Sequence, residues 1–339
     1  MTALALPSFV ERLRMMDADR ALGLLPPYPP VAIQLSPGEL GLVRLKRQRR
    51  GQPVLEGCIL RELDEAMVPP SIFQTSGVSV GELAPKLQEL FDASGTRPGR
   101  VSLIIPDNLA KITLLSLPEA PASRRQLDEL VRSQMRRAVP FRLEEARISY
   151  HVLPSGGRGL TLLVALVRKA VVEQYEQALQ AVGAQVGLID LCTPNLINLC
   201  RAQIAAAPPA SGDIAVLNCA RSYFTLAIVR EERVIFLRCK SYAVVDDADR
   251  GSKGILTREI SASLSYYQDK LEGKKIDRIF VRTAELPLDD IARKLGPLGL
   301  TGVESIDPSP LLEPGEGQRP DAALLQRLAP AIGAAMGRR

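Results

Sequence analysis

A segment made of two strands joined by a tight turn, with a third strand after it, occurs twice in this chain. The first copy covers residues 31–46, where Ser-Pro-Gly separates two apolar runs, and its third strand covers residues 54–60. The second copy covers residues 215–230, and its third strand covers residues 234–240. Repetition of a supersecondary unit within a chain is typical of repeated architecture. The pattern therefore predicts two lobes of like fold.

The two copies align without gaps through the hairpin. Gln34 of the first copy falls on Asn218 of the second, and Lys46 falls on Arg230, 184 residues later in each case. The clearest linker, a Pro- and Gly-bearing stretch at residues 208–212, lies directly before the second copy. A lobe boundary is expected there.

The composition indicates a globular chain with more than one core. A length of 339 residues exceeds what one ordinary core holds, and 46% hydrophobic with 24% charged residues excludes a disordered chain. The longest clean apolar run, residues 160–167, is far shorter than the roughly 20 residues that cross a bilayer. The N-terminal residues do not follow a secretory signal pattern, and the five cysteines form no Cys-x-x-Cys pair. We therefore expect buried, reduced thiols in a cytosolic protein.

The net charge and the aromatic content indicate which classes of partner the chain could bind. A net charge of +5 and a pI near 9.0 favour anionic lipid or an acidic partner. Aromatic residues make up only 4%, which argues against nucleic-acid binding. Residues 1–30 are predicted to form a separate arm, with an amphipathic helical pattern at residues 8–16 and a Pro-rich connector after it. Such an arm either packs on its own body or makes a short contact with a membrane or partner.

Hydrophobic periodicity divides the rest of the chain into three units. Residues 31–118 and 189–207 are assigned to a first lobe with a β-β-β-α-β order, which predicts a mixed sheet with a helix on its face. Residues 119–188 are assigned to an inserted α+β domain, and residues 208–339 to the second lobe. The predicted fold class is therefore mixed α/β.

Several kinds of chemistry are excluded. His151 is the only histidine, so a zinc cluster of histidines cannot form and a Ser-His-Asp relay has no supporting motif. The Gly-Ser-Lys-Gly stretch at residues 251–254 has the wrong order for a phosphate loop. The aspartates within residues 246–249 lack the spacing of a calcium loop.

Nine short segments, in one continuous order, are similar to the PilM family of type IV pilus assembly proteins, within the actin-like ATPase superfamily. These segments are residues 99–106, 114–118, 138–141, 162–165, 171–175, 258–260, 264–267, 276–279 and 328–333. The resemblance implies two actin-like, ribonuclease H-like lobes with a small α+β domain inserted in the first.

The resemblance also implies a nucleotide site, and the chain departs from it. Family members that bind ATP carry Asp-x-Gly at the first turn of each hairpin and Gly-Gly on the adenosine side. The lid of the second lobe is also reduced, because only residues 242–255 are left for it. We therefore expect a pseudo-ATPase without catalytic residues, ATP, Mg²⁺ or another metal. The six nucleotide-site positions are Gln34, Ser36, Asn218, Ala220, Arg282 and Thr283.

The function implied by the resemblance is that of a cytoplasmic scaffold at the inner face of the cytoplasmic membrane. Its implied partner is the cytoplasmic N-terminal tail of a PilN-like inner-membrane protein, with possible self-association into a ring and only peripheral membrane contact. The tail would lie between the first lobe and the inserted domain, and a basic groove predicts a more acidic tail. The alternative is a solvated helix face. The candidate groove residues are Arg132, Arg136, Arg137, Pro140 and Phe141.

Two other functions stay open on the sequence. Gln34 and Asn218 could still hydrogen-bond water, which would allow an active ATP-binding switch protein. A cytoplasmic component of a type II secretion platform of the GspL type is also actin-like and degenerate.

Overall fold

A computed structural model describes residues 28–74, 78–119, 121–153, 159–205, 212–242, 252–284, 286–315 and 320–337. The predicted helix at residues 8–16, the proline-rich linker at residues 208–211 and most of the shortened lid lie outside these ranges. No helix in the described part of the chain combines the length and apolar character needed to cross a bilayer.

Within those ranges the chain forms fourteen strands and eight α-helices. In chain order they are β1 (Val31–Ser36), β2 (Glu39–Lys46), β3 (Val54–Glu62), α1 (Val80–Ala93), β4 (Arg100–Ile105), β5 (Ala110–Leu117), α2 (Arg124–Arg136), β6 (Ala146–Leu153), β7 (Leu160–Arg168), α3 (Lys169–Ala181), β8 (Gln185–Leu191), α4 (Cys192–Ala205), β9 (Asp213–Cys219), β10 (Tyr223–Arg230), β11 (Arg233–Ser241), α5 (Ser252–Lys270), β12 (Ile276–Thr283), α6 (Leu288–Leu295), β13 (Val303–Ser305), β14 (Glu313–Pro314), α7 (Ala322–Arg327) and α8 (Ala329–Met336).

The two large sheets confirm the predicted duplication. One sheet has the order β3-β2-β1-β4-β8, extended by β14 on the β3 side, and the other has the order β11-β10-β9-β12-β13. In both, the first three strands are antiparallel and the last two run parallel to the central strand. The repeated hairpin thus forms the corresponding strands of each sheet. The mixed α/β fold class predicted from the sequence is confirmed.

A third sheet, with the order β5-β7-β6, forms the inserted unit. Helix α2 covers it through Leu127, Val131 and Met135. The strand pairing corrects two assignments made from the sequence. Strand β5 pairs along its whole length with β7 and not with the first-lobe sheet, while β8 pairs in parallel with β4 and belongs to that sheet. Apolar strands carry no local signal for which sheet they join, so strand order along the chain was misleading here.

The helices pack the two large sheets on both faces. Helices α1 and α3 cover one face of the first-lobe sheet, so α3 also belongs with the first lobe and not with the inserted domain. The other face packs against α4 and α8, in a core that includes residues of both lobes. Helix α8 was assigned to the second lobe from the sequence, but it contacts β1 and β2 of the first. The C-terminal segment therefore returns to the first lobe.

All five cysteines are free thiols. Cys192 and Cys219 are buried, and burial raises the pKa of each thiol to about 12. Because the thiolate is the reactive form, these two side chains are chemically inert at neutral pH.

Candidate functional site

The turns of the two repeated hairpins contact each other where the lobes meet. Gly38 in the first turn has a φ of +82°, and a Cβ placed on it would lie 3.1 Å from Nη1 of Arg221 in the second turn. Nε of Arg221 also pairs with the Glu65 carboxylate at 2.8 Å. The six nucleotide-site positions lie behind these turns, and all six are buried. The structure thus brings residues from positions 34 to 283 into one region.

Both polar atoms of the Gln34 side-chain amide hydrogen-bond to the C-terminal segment. Its Nε2 donates to the carbonyl oxygen of Arg327 at 2.9 Å, and its Oε1 accepts from the N–H of Ala331 at 3.2 Å. Ser36 Oγ lies 3.4 Å from the same Nε2. The Gln34 side chain, which is 1% exposed, therefore joins β1 to the junction between α7 and α8.

Arg282 reaches the same carbonyl from the second lobe. Its Nη2 donates to the carbonyl oxygen of Arg327 at 2.8 Å, and its Nη1 donates to Oδ1 of Asn218 at 3.3 Å. The β9–β12 register places Arg282 directly beside Asn218, and neither residue is exposed to solvent. A guanidinium thus fills the space beside the aligned hairpin position of the second lobe.

Asp107 completes this network, although the sequence analysis did not single it out. Its carboxylate accepts from the Thr193 N–H at 3.0 Å, from the Thr193 hydroxyl, from the Thr225 hydroxyl at 2.8 Å and from Nδ2 of Asn218 at 3.2 Å. A single Asp after a strand is common in turns, so no local signal marked it. We call the set Gln34, Asn218, Arg282 and Asp107, together with the Arg327 carbonyl, the interlobe network.

Burial controls the electrostatics of the interlobe network. Burial raises the pKa of the Asp107 carboxyl above its ordinary value, while the hydrogen bonds from Thr193, Thr225 and Asn218 oppose that rise. One amide, that of Asn218, separates this carboxylate from the Arg282 guanidinium. The buried polar groups of the network therefore hydrogen-bond to one another, apart from Nε of Arg282, which has no hydrogen-bond partner among the described residues.

A solvent-filled groove of about 780 Å³ lies outside the network. Glu39 and Arg327 form an ion pair on its wall. The carboxylates of Glu62 and Glu65 also line it. Among the described residues, no group of three or more His, Cys, Asp or Glu is placed to hold a metal ion.

The predicted partner residues lie on and just after α2. Ser123 begins this helix, since its side chain accepts from the N–H of Gln126 at 3.2 Å. Arg132 and Arg136 are exposed on the helix, opposite its buried face, and Arg137 is exposed at its end. None of the three makes an ion pair with another residue of the described ranges. The structure therefore places three uncompensated cations on one surface.

The end of this surface lies where the inserted unit meets the first lobe. The Arg168 guanidinium lies 3.9 Å from the centre of the Phe141 ring, and its Nε donates to the carbonyl oxygen of Ile72 at 2.9 Å. Ile72 is a first-lobe residue buried in the core under α2. Pro140 is exposed beside Phe141, and the next residue after Ile72, Phe73, is 56% exposed. The sequence analysis missed Phe73 and Arg168, since an isolated aromatic and an arginine at a strand end carry no pattern.

The chain matches a protein-family profile and several solved structures. A family profile described as "Type IV pilus assembly protein PilM" matches residues 32–280. No curated protein sequence matches the chain significantly.

Among solved structures, the chain is similar to a "PilM-PilN type IV pilus biogenesis complex", with a TM-score of 0.72 and 18% identity over 92% of this chain and 98% of that one. It is also similar to a Bacteroides thetaiotaomicron protein with an actin-like ATPase fold and unknown function, with a TM-score of 0.51 and 10% identity over 88% and 93% of the two chains. The cytoplasmic domain of EpsL, an inner-membrane component of the Vibrio cholerae type II secretion system, matches with a TM-score of 0.45 and 12% identity over 88% and 92%. The first two likenesses establish an actin-like fold.

Proposed function

The chain belongs to the PilM family of type IV pilus assembly proteins, and from this we propose that it is a non-catalytic adaptor that binds the cytoplasmic tail of a PilN-like membrane protein. The interlobe network supports the non-catalytic part of this proposal. In it, side chains at the nucleotide-site positions hydrogen-bond to other residues of the chain. The observation that supports the partner is the exposed basic surface of α2. The similarity to the PilM–PilN complex adds support for a partner of that kind.

A magnesium nucleotide does not fit the residues present. Mg²⁺ prefers carboxylate oxygens, but the two aligned hairpin positions carry the amides of Gln34 and Asn218. The one carboxylate of the interlobe network, that of Asp107, already accepts hydrogen bonds from Thr193, Thr225 and Asn218. The guanidinium of Arg282 is fully buried, and both of its Nη atoms donate to internal acceptors, so a phosphate would have to displace these contacts to reach it.

The α2 surface fits an acidic tail with apolar side chains. Arg132, Arg136 and Arg137 offer cations that form no ion pair within the described ranges. Phe73 beside the junction is one of the few large apolar side chains that the described chain exposes. A surface that combines free arginines with exposed apolar groups has the composition of a peptide-binding site.

The location and assembly follow from the same proposal. A chain that binds the cytoplasmic tail of an inner-membrane protein works in the cytoplasm, at the inner face of that membrane. Self-association into a ring would place several tail sites around one axis. These parts depend on the tail interaction, which is therefore the one to test.

We expect a peptide of the PilN-like N-terminal tail to bind the full chain, and the variant Arg136→Ala/Arg137→Ala to bind it at least about 10-fold more weakly. Each lost hydrogen bond to a charged group is worth about 1.5–3 kcal/mol, so two of them are sufficient for this loss. Isothermal titration calorimetry measures the Kd.

The matched control is Arg49→Ala/Arg50→Ala, which removes the same charge from the turn between β2 and β3 and should leave the Kd unchanged. An Arg136/Arg137 variant that binds the peptide as tightly as the natural chain would contradict the proposed site. Loss of binding in both variants would indicate a net-charge effect only.

A further inference from the structure

The turn between β2 and β3 concentrates positive charge at one end of the first lobe. Residues 46–50 read Lys-Arg-Gln-Arg-Arg, and all five are exposed. We refer to Lys46, Arg47, Arg49 and Arg50 as the basic turn. It lies at the opposite end of β1 and β2 from the hairpin turn that lines the groove, because β1 and β2 are paired from Val31–Arg44 to Ser36–Glu39.

Little of this charge is neutralised by the protein itself. Within the described ranges, Lys46, Arg49 and Arg50 form no ion pair. Arg47 donates to the carbonyl oxygen of Ala335 at 2.8 Å, at the end of α8. The Glu313 carboxylate accepts from the amide of Gln48, within the turn, at 2.8 Å. The basic turn therefore presents a net positive surface to solvent.

Both ends of the described chain lie beside the basic turn. A Cβ placed on Gly337 would lie 3.2 Å from Nη2 of Arg47 and 3.6 Å from Cβ of Tyr28. In the sequence, two more arginines follow Gly337. The sequence before Tyr28 includes residues 8–16, where apolar side chains recur at helical spacing among arginines. Tyr28 and Gly337 thus lie together beside Arg47, on one place of the protein surface.

We propose that the basic turn docks the protein on the anionic surface of a lipid bilayer. This inference deepens the membrane position proposed above, and it depends on different residues from the tail site. Clustered, exposed Lys and Arg side chains are the composition that anionic membranes attract. The turn has no aromatic residue on which a base could stack, which favours lipid over nucleic acid.

The test uses the full chain and vesicles of phosphatidylcholine and phosphatidylglycerol in a seven-to-three ratio, with pure phosphatidylcholine as the reference. Each basic residue near an anionic surface contributes about five-fold in affinity. The variant Lys46→Gln/Arg49→Gln/Arg50→Gln should therefore bind the anionic vesicles about 100-fold more weakly in co-sedimentation. Binding of the natural chain should also fall at about 1 M salt, where the Debye length is about 3 Å.

The variant Arg132→Gln/Arg136→Gln/Arg137→Gln is the matched control, because it removes the same three charges from α2. This α2 variant should bind vesicles like the natural chain and should no longer bind the tail peptide. The turn variant should bind the tail peptide and should no longer bind anionic vesicles. The unfolding midpoints of both variants should equal that of the natural chain. No vesicle binding by the natural chain, equal losses in the two variants, or binding to a DNA duplex without binding to vesicles would overturn the proposal. Failure of the peptide titration alone would contradict only the proposed partner.

Discussion

The side-chain amide of Asn218 bridges the two charged residues of the interlobe network, Asp107 and Arg282. Its Nδ2 donates to Asp107 at 3.2 Å, while its Oδ1 accepts from Arg282 at 3.3 Å. An aspartate at position 218 could accept from Arg282 but would place a second carboxylate against Asp107, and two buried like charges at that distance disfavour each other strongly. The buried carboxylate of Asp107 therefore favours an amide over a second carboxylate at position 218.

The raised pKa of Asp107 predicts a pH dependence of stability. Between the unfolded-state pKa of about 3.9 and the raised value, the folded protein keeps a proton that the unfolded chain has released. Stability should thus fall as the pH rises through this window. The variant Asp107→Asn should lose that part of the slope, as measured by urea denaturation at a series of pH values.

The control for this experiment is Asp92→Asn, which removes an exposed carboxylate on α1 and should keep the slope of the natural chain. An unchanged slope in Asp107→Asn would show that Asp107 does not titrate in the window.

Helix α8 depends on a residue outside itself for its start. Leu328 occupies the N-cap position and has no side-chain oxygen, and no side-chain cap bond forms there. The N–H of Ala331 has instead the Oε1 of Gln34 as its acceptor. Because α8 is buried along almost its whole length, an unpaired N–H at this point would be costly. The first strand of the fold thus caps its last helix.

The variant Gln34→Ala should therefore lower the free energy of unfolding by about 1–3 kcal/mol, since it leaves a buried N–H without an acceptor. Chemical denaturation measures this change. The variant Gln48→Ala removes an exposed amide that bonds to Glu313 and should change stability by less than about 0.5 kcal/mol. Equal effects of the two substitutions would argue against a capping role for Gln34.

In the whole molecule, the C-terminal segment joins the two lobes. Strand β14 extends the first-lobe sheet at β3, and Nε2 of Gln326 donates to the Ser305 hydroxyl of the second lobe at 2.7 Å. The Arg327 carbonyl accepts from Gln34 of one lobe and Arg282 of the other. Contacts inside the protein thus hold the two lobes together at the interlobe network.

We accordingly expect millimolar ATP with Mg²⁺ to leave the thermal unfolding midpoint unchanged. A ligand at about 100 times its Kd would add about 2.7 kcal/mol of stability, which a thermal scan detects readily. A parallel scan without Mg²⁺ controls for ionic effects. A saturable increase that requires Mg²⁺ would contradict the non-catalytic proposal and favour an ATP-binding switch.

By itself the sequence determined the two repeated hairpins and the strands that follow them, while its resemblance to the PilM family implied the actin-like fold. These features depend on apolar alternation and on turn residues, which are local and recur with a fixed period. The resemblance to the family also singled out Gln34, Asn218 and Arg282, because each stands where members that bind ATP carry a different residue.

Only the tertiary structure decided what those residues contact. It alone placed Asp107 against Asn218, made Gln34 the cap of α8 and moved β5 into the inserted sheet. Each of these pairings joins residues dozens to hundreds of positions apart. Hydrogen bonds over such separations leave no periodic trace in the chain, since they form only when packing has brought the elements together.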